Sequence, residues 1–171
     1  MDGDRMIGGL DVSTYTRAPL QVAQAVFLDA PPRAVFALVS NHAKMEYWMP
    51  YVSGVYLNRG HAAERDGVGT IRYLAIGPFS LREYIIAYDP PHLLAYSVER
   101  STVIIDHVAV MHFQPERYGG TNLVWRHYFR TTTLPTWLIR LAYMVVYGES
   151  LNALTRFFGG KRVSVPQSVG S

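Results

Sequence analysis

Apolar and polar residues alternate with period two along most of the chain, in short runs separated by turn formers. At Leu20–Leu28 the alternation sets Val22, Gln24 and Val26 against Ala23, Ala25 and Phe27, and it predicts a strand. Pro31-Pro32 then opens a short helix through Ser40, because proline is tolerated in a first helical turn and Val35, Phe36, Leu38 and Val39 give an apolar face. A second short helix is expected at Ala43–Trp48, stopped by Pro50. Strands follow at Val52–Asn58, Gly69–Ile76, Phe79–Tyr88, Leu93–Arg100, Val103–Phe113 and Thr121–Thr131. Their separators, such as Gly77-Pro78, Asp89-Pro90-Pro91 and Gly119-Gly120, are too short for parallel crossovers, so the strands pair antiparallel.

A long helix from about Leu134 to Phe158 ends the pattern, apolar on nearly all sides as far as Tyr147. Such a helix needs a sheet to cover it. The expected fold is α+β: a seven-stranded curved antiparallel sheet around a long C-terminal helix, two short helices between strands 1 and 2, and a ligand space between sheet and helix. Trp137, Leu141, Met144, Gly148, Leu151 and Phe158 fall near one stripe, read as the inward face. Glycine in a helix interior costs about 1 kcal/mol relative to alanine. Gly148 therefore either widens the cavity or admits a close-packed strand.

The runs Ala30-Pro31-Pro32-Arg33-Ala34-Val35-Phe36, Tyr51-Val52-Ser53-Gly54-Val55 and Gly67-Val68-Gly69-Thr70, with Asp89-Pro90-Pro91, Gly119-Gly120-Thr121 and Trp125, carry a resemblance. Over about Leu20 to Phe158 the chain resembles the START-like, or Bet v 1-like (SRPBCC), helix-grip superfamily in its polyketide cyclase/dehydrase-like branch. That resemblance implies a cavity between sheet and helix for a hydrophobic small molecule: a lipid, a quinone or an aromatic polyketide. It also implies a second possibility, acid–base catalysis of cyclase/dehydrase type. The run at 41–51 is similar to the amino-terminal pattern of coenzyme Q-binding proteins of the same superfamily, which adds a third, a membrane-associated lipid or coenzyme Q carrier.

Composition narrows the chemistry. There is no cysteine, so disulfides and thiolate chemistry are excluded. The net charge of +3 comes from scattered arginines with acids among them, which argues against a nucleic-acid interface. Neither a G-x-S-x-G elbow nor a phosphate-cradling glycine loop occurs. One domain is expected over residues 18–159, with a flexible segment at 1–17 and a disordered tail at 160–171. The early acids Asp2 and Asp4 speak against a secretory signal, and a cytoplasmic setting is expected. The expected partner is a hydrophobic small-molecule ligand, with membrane contact possible without a span, no cofactor, and a monomer or homodimer.

Candidate residues come from strand faces. Leu123, Trp125, His127 and Phe129 share the face expected to meet the helix, and Ile105, His107, Ala109, Met111 and Phe113 share the corresponding face of the preceding strand. If the turn pairs Phe113 with Leu123, Met111 lies opposite Trp125, Ala109 opposite His127, and His107 diagonal to His127. The two imidazoles read either as a proton relay or as satisfied core histidines. Asp106 should point the other way, which leaves no third ligand and no metal. Arg72, Glu83, Tyr96 and Arg100 read either as a polar patch that orients a ligand or, for Arg72 and Glu83, as a cross-strand pair on the solvated convex face. Catalytic candidates are therefore His107, His127, Tyr96 and Arg72, and ligand-binding candidates are Trp48, Met111, Phe113, Trp125, Phe129, Leu141, Met144 and Gly148.

Overall fold

The computed structural model describes residues 5–99 and 101–166. Arg100, one of the polar-patch candidates, lies outside them. Among the described residues, ten strands and two α-helices follow in the order β1 (Met6–Ile7), β2 (Leu10–Asp11), β3 (Leu20–Leu28), α1 (Pro32–Val39), β4 (Val52–Asn58), β5 (Ile71–Ile76), β6 (Phe79–Asp89), β7 (Leu93–Glu99), β8 (Ile104–Pro115), β9 (Thr121–Thr131), α2 (Thr136–Phe158) and β10 (Gly160–Val163). A 3-10 helix at His42–Tyr47 stands where a second short helix is expected. The class is the α+β one read from the sequence, with eight strands in the main sheet where seven are expected, in the order β10-β3-β9-β8-β7-β6-β5-β4.

The additional strand is β10. Gly159 and Gly160 have φ of 77° and 122°, a left-handed region that glycine enters without penalty, and they turn the chain back after α2. A Cβ at Gly160 would collide with the Phe27 carbonyl, so the close approach that starts the β10–β3 pairing needs glycine there. Residues 160–163, expected as part of a disordered tail, are thus paired to β3. The expected flexible segment is likewise ordered in part: β1 and β2 form a hairpin, and Ile7, Val12 and Ala18 pack with Leu93, Val108, Val110 and Tyr128 on the convex face. Arg5 fastens this strap by donating to the carbonyls of Thr16 and Ala18, both at 2.7 Å.

The main core lies on the concave side, where α1, the 3-10 helix and α2 cover the sheet. Leu28, Phe36, Met45, Trp48, Met111, Phe113 and Trp125 meet there. The β8–β9 register matches the sequence reading, with Phe113 opposite Leu123, Met111 opposite Trp125 and Ala109 opposite His127. A bulge between Ile105 and Val108 corrects one assignment. Asp106 takes φ of 53°, and the side-chain alternation breaks there. Ile104 is therefore buried with His107, whereas Ile105 is 48% exposed.

Helix α2 corrects another. Its buried residues are Ile139, Tyr147, Ser150, Leu151 and Leu154, with Tyr143 packed against them. Trp137, Leu141 and Met144, expected to face inward, are 65%, 52% and 50% exposed. The helix turns a tyrosine- and serine-bearing face inward and an apolar stripe outward.

Candidate functional site: a cavity backed by a tyrosine–arginine network

A cavity of about 540 Å³ opens between the tip of the β5–β6 hairpin, the β7–β8 loop and the first turns of α2. Its volume falls within the range of small-molecule sites, about 300–1,000 Å³. Ile76, Leu81, Val103, Ile104, Ile139 and Val146 supply apolar walls, and Phe79, Leu134 and Leu138 form an exposed rim. Polar groups come from Ser80, Ser101, Thr102, Tyr143 and Tyr147.

The strand geometry explains why the space is here. Gly77-Pro78 makes a two-residue turn, with Gly77 at φ of 55°, so β5 and β6 end in a narrow tip with Phe79 69% exposed. On the opposite side, Ser101 Oγ accepts from the amides of Val103 and Ile104, both at 3.2 Å, which shapes the β7–β8 loop. Pro135 precedes the first turn of α2, where a missing amide hydrogen costs no helical bond, so the helix can start beside that loop.

The cavity wall differs from the expected one. Trp48, Met111, Phe113, Trp125 and Phe129 are all at most 3% exposed and sit in the packed core, apart from the cavity lining. Leu141 and Met144 face outward. Gly148 faces β3, where a Cβ would meet the Gln24 amide at 3.5 Å, an ordinary contact. The glycine therefore neither widens the cavity nor is forced by close packing.

Behind the tyrosines lies a buried polar network. The Tyr147 and Tyr96 phenols are electrostatically coupled, and the Arg72 guanidinium lies 4.3 Å over the Tyr96 ring. Arg72 Nε donates to Glu83 Oε2 at 2.6 Å, and both residues are 2% exposed. This corrects the solvated-face reading. The register does pair Arg72 with Glu83, yet the pair faces the concave interior. Burial raises the Glu83 carboxyl above its ordinary range, opposed by the adjacent Arg72 charge.

His42 completes the network and was not singled out by sequence reasoning. Its Nδ1 accepts from Arg72 Nη1 at 3.1 Å, so the proton sits on Nε2 and is donated to the Asp66 carbonyl at 2.9 Å. Burial and the Arg72 charge push His42 down to about 3, and it is neutral at physiological pH. The available signal was its place in a short helix beside Pro50 and three aromatics, but one histidine in such a run has no period to fix its direction.

The two candidate histidines do come together, with ring centroids 5.9 Å apart. His107 Nδ1 accepts from the Val98 amide at 3.2 Å, which places its proton on Nε2. That nitrogen, both His127 ring nitrogens and Trp125 Nε1 have no hydrogen-bond partner among the described residues. Burial pushes His107 down to about 3 and His127 well below its usual value, the latter also through its neighbour His107. The Tyr147 and His127 ring centroids lie 4.2 Å apart in a tilted pair, and the Tyr143 ring meets His127 edge-on at 5.1 Å. Burial raises Tyr96, Tyr143 and Tyr147 well above the ordinary phenol range. Near neutral pH these three phenols and the three buried histidines are uncharged, so they can donate and accept hydrogen bonds but are poorly matched to proton transfer. No group of three or more metal-ligating side chains gathers among the described residues.

Known structures share this architecture. A solution structure of a Thermobifida fusca protein is 25% identical, covers 81% of this chain and 92% of its own, and superposes with a TM-score of 0.67. A START superfamily protein from Mycobacterium smegmatis is 13% identical over 80% of this chain and 95% of its own, with a TM-score of 0.67. The di-domain ARO/CYC StfQ of the steffimycin biosynthetic pathway is 12% identical over 80% of this chain and 49% of its own, with a TM-score of 0.65. No curated protein matches in sequence. Residues 19–156 match the family described as polyketide cyclase/dehydrase and lipid transport, and because that match spans most of the chain, the protein belongs to this family.

Proposed function

We propose that the protein binds an apolar small molecule with at least one hydroxyl or carbonyl group, held in the cavity beneath the first half of α2. The observation that carries this reading is an apolar space of about 540 Å³ with the phenols of Tyr143 and Tyr147 in its wall. Apolar walls supply affinity, and a few placed polar groups set orientation. The family match supports a hydrophobic ligand without specifying it. Ala142→Trp inserts an indole at the cavity lining. Native mass spectrometry is expected to find a co-purifying small molecule on the wild type and none on this variant, with the melting temperature little changed. Equal loading of both proteins would place the ligand elsewhere.

Tyr147 in the cavity wall, coupled to the buried Tyr96 under the Arg72 guanidinium, favours a second reading, cyclase/dehydrase-type chemistry. Tyr147 lines the cavity, and a phenol held protonated can donate to a substrate carbonyl as negative charge develops on its oxygen. His107 and His127 have no place in that wall and are depressed far below neutrality, so the reading rests on Tyr147, Tyr96 and Arg72. Tyr147→Phe separates the two functions. Turnover of a poly-carbonyl substrate falls about 100-fold or more with binding retained if the phenol serves chemistry. Binding weakened with no turnover in either protein supports the container.

A further inference from the structure

We infer that the cavity mouth docks on an anionic lipid surface through the outward stripe of α2. Trp137, Leu138, Leu141, Met144 and Val145 of α2, with Leu134 just before it, are between 38% and 65% exposed, although they are among the most apolar residues of this segment. The spacing of the five within α2 places them on one helical face, opposite the buried Ile139, Tyr147 and Ser150 and the partly buried Tyr143. Soluble amphipathic helices present the reverse arrangement, apolar inward and polar outward.

Two observations select a lipid surface as the occupant. The stripe runs directly into the cavity: Leu134 and Leu138 belong to both, and Phe79, 69% exposed, projects from the opposite rim. A surface touching this stripe would therefore touch the mouth. The charge pattern is also complementary to anionic headgroups. From Leu134 to Gly148 Arg140 is the single charged residue, exposed, three residues from Trp137 and four from Met144, and without an acidic partner among the described residues. The acids on the strands leading to the β7–β8 loop are neutralised, Glu99 by Arg82 at 3.1 Å and Asp106 by Arg130 at 2.7 Å. Tryptophan beside a free arginine on an apolar stripe suits the boundary between headgroups and acyl chains. No helix among the described residues is long and apolar enough to cross a membrane, so contact is interfacial.

The inference deepens the cavity reading by naming the membrane as the ligand's source or destination, but docking and loading are measured apart. The full chain is sedimented with phosphatidylcholine vesicles and with vesicles in which a third of the lipid is phosphatidylglycerol. Binding is expected to favour the anionic vesicles and to weaken with salt. Trp137→Ser with Leu141→Ser should reduce it roughly a hundredfold, and Arg140→Glu about tenfold. Circular dichroism confirms that these exposed substitutions leave the fold intact. Uptake of the apolar fluorophore N-phenyl-1-naphthylamine reads the cavity: the α2 surface variants should retain it and Ala142→Trp should lose it. Absence of sedimentation with either vesicle overturns docking and leaves the cavity reading standing if fluorophore uptake persists. A homodimer that these variants dissociate, without vesicle binding, also overturns docking and assigns the stripe to self-association. Vesicle binding without fluorophore uptake supports docking and sinks the cavity reading.

Discussion

Arg72→Leu is expected to destabilise the protein by about 3–5 kcal/mol, because it leaves the buried Glu83 carboxyl without its counter-charge. At about 2–4 °C per kcal/mol for a domain of this size, the melting temperature should fall by about 6–20 °C. His42 also loses the guanidinium donor on Nδ1, and Tyr96 loses the cation over its ring. The double variant Arg72→Met, Glu83→Leu should recover most of the loss, since replacing both charges with apolar groups of similar volume removes the desolvation cost along with the attraction. The pH dependence has a definite sign. Glu83 titrates above its unfolded value because of burial, so the folded state holds its proton more tightly and stability falls as pH rises through that raised value. Without Arg72 to oppose the shift, the fall should steepen and move to higher pH. Equal melting temperatures for the single and double variants would overturn the account.

The same pair shows how far the sequence could be read. Alternation and turn spacing identify the strands and place Arg72 opposite Glu83, because register follows from the β5–β6 turn. The face is harder to assign. Charged side chains normally face water, and only the tertiary partners His42 and Tyr96 make an inward ion pair tolerable. The β8–β9 pairing was legible for a related reason: one face carries Leu123, Trp125, His127 and Phe129, and a one-residue slip would turn all four away from the concave core. The bulge at Asp106 was not, although aspartate is among the residues that tolerate positive φ.

Helix α2 was legible in extent but not in rotation. A segment apolar on nearly all sides carries no moment to orient it, so Trp137, Leu141 and Met144 competed equally with Ile139, Tyr143 and Tyr147 for the inward face. The interior settled the contest through aromatic packing, since Tyr147 meets Trp125 and His127 and Tyr143 meets His127 and Phe129. That rotation moved the cavity wall from the expected residues to the ones observed. β10 escaped notice because Gly160–Val163 is four residues long, with Lys161 and Arg162 in it, a composition suited to a sheet edge.

Acid should unfold this protein cooperatively between about pH 4 and pH 5, through histidines buried in their neutral form. His42 and His107 are pushed down to about 3 in the folded state, whereas in the unfolded chain they titrate near the model-peptide value, about 6.5. Between those values the unfolded state binds more protons, so stability rises with pH and is lost as pH falls from about 6.5 toward 3. At pH 4.5 each of the two histidines costs about 2–3 kcal/mol, together about 5 kcal/mol, against a total stability of about 5–15 kcal/mol for a domain. His127, depressed in the same direction, adds to the loss, while protonation of the raised Glu83 subtracts from it. His127→Phe tests the cause. The ring has no hydrogen-bond partner among the described residues and packs against Tyr147, Tyr143 and Trp125, so phenylalanine fits its contacts and cannot take up a proton. Tryptophan fluorescence against pH should show the variant's midpoint displaced to lower pH with little change in stability at pH 7.5. An unchanged midpoint would remove His127 from the account, and a wild type still folded at pH 3 would overturn the role of the interior imidazoles altogether.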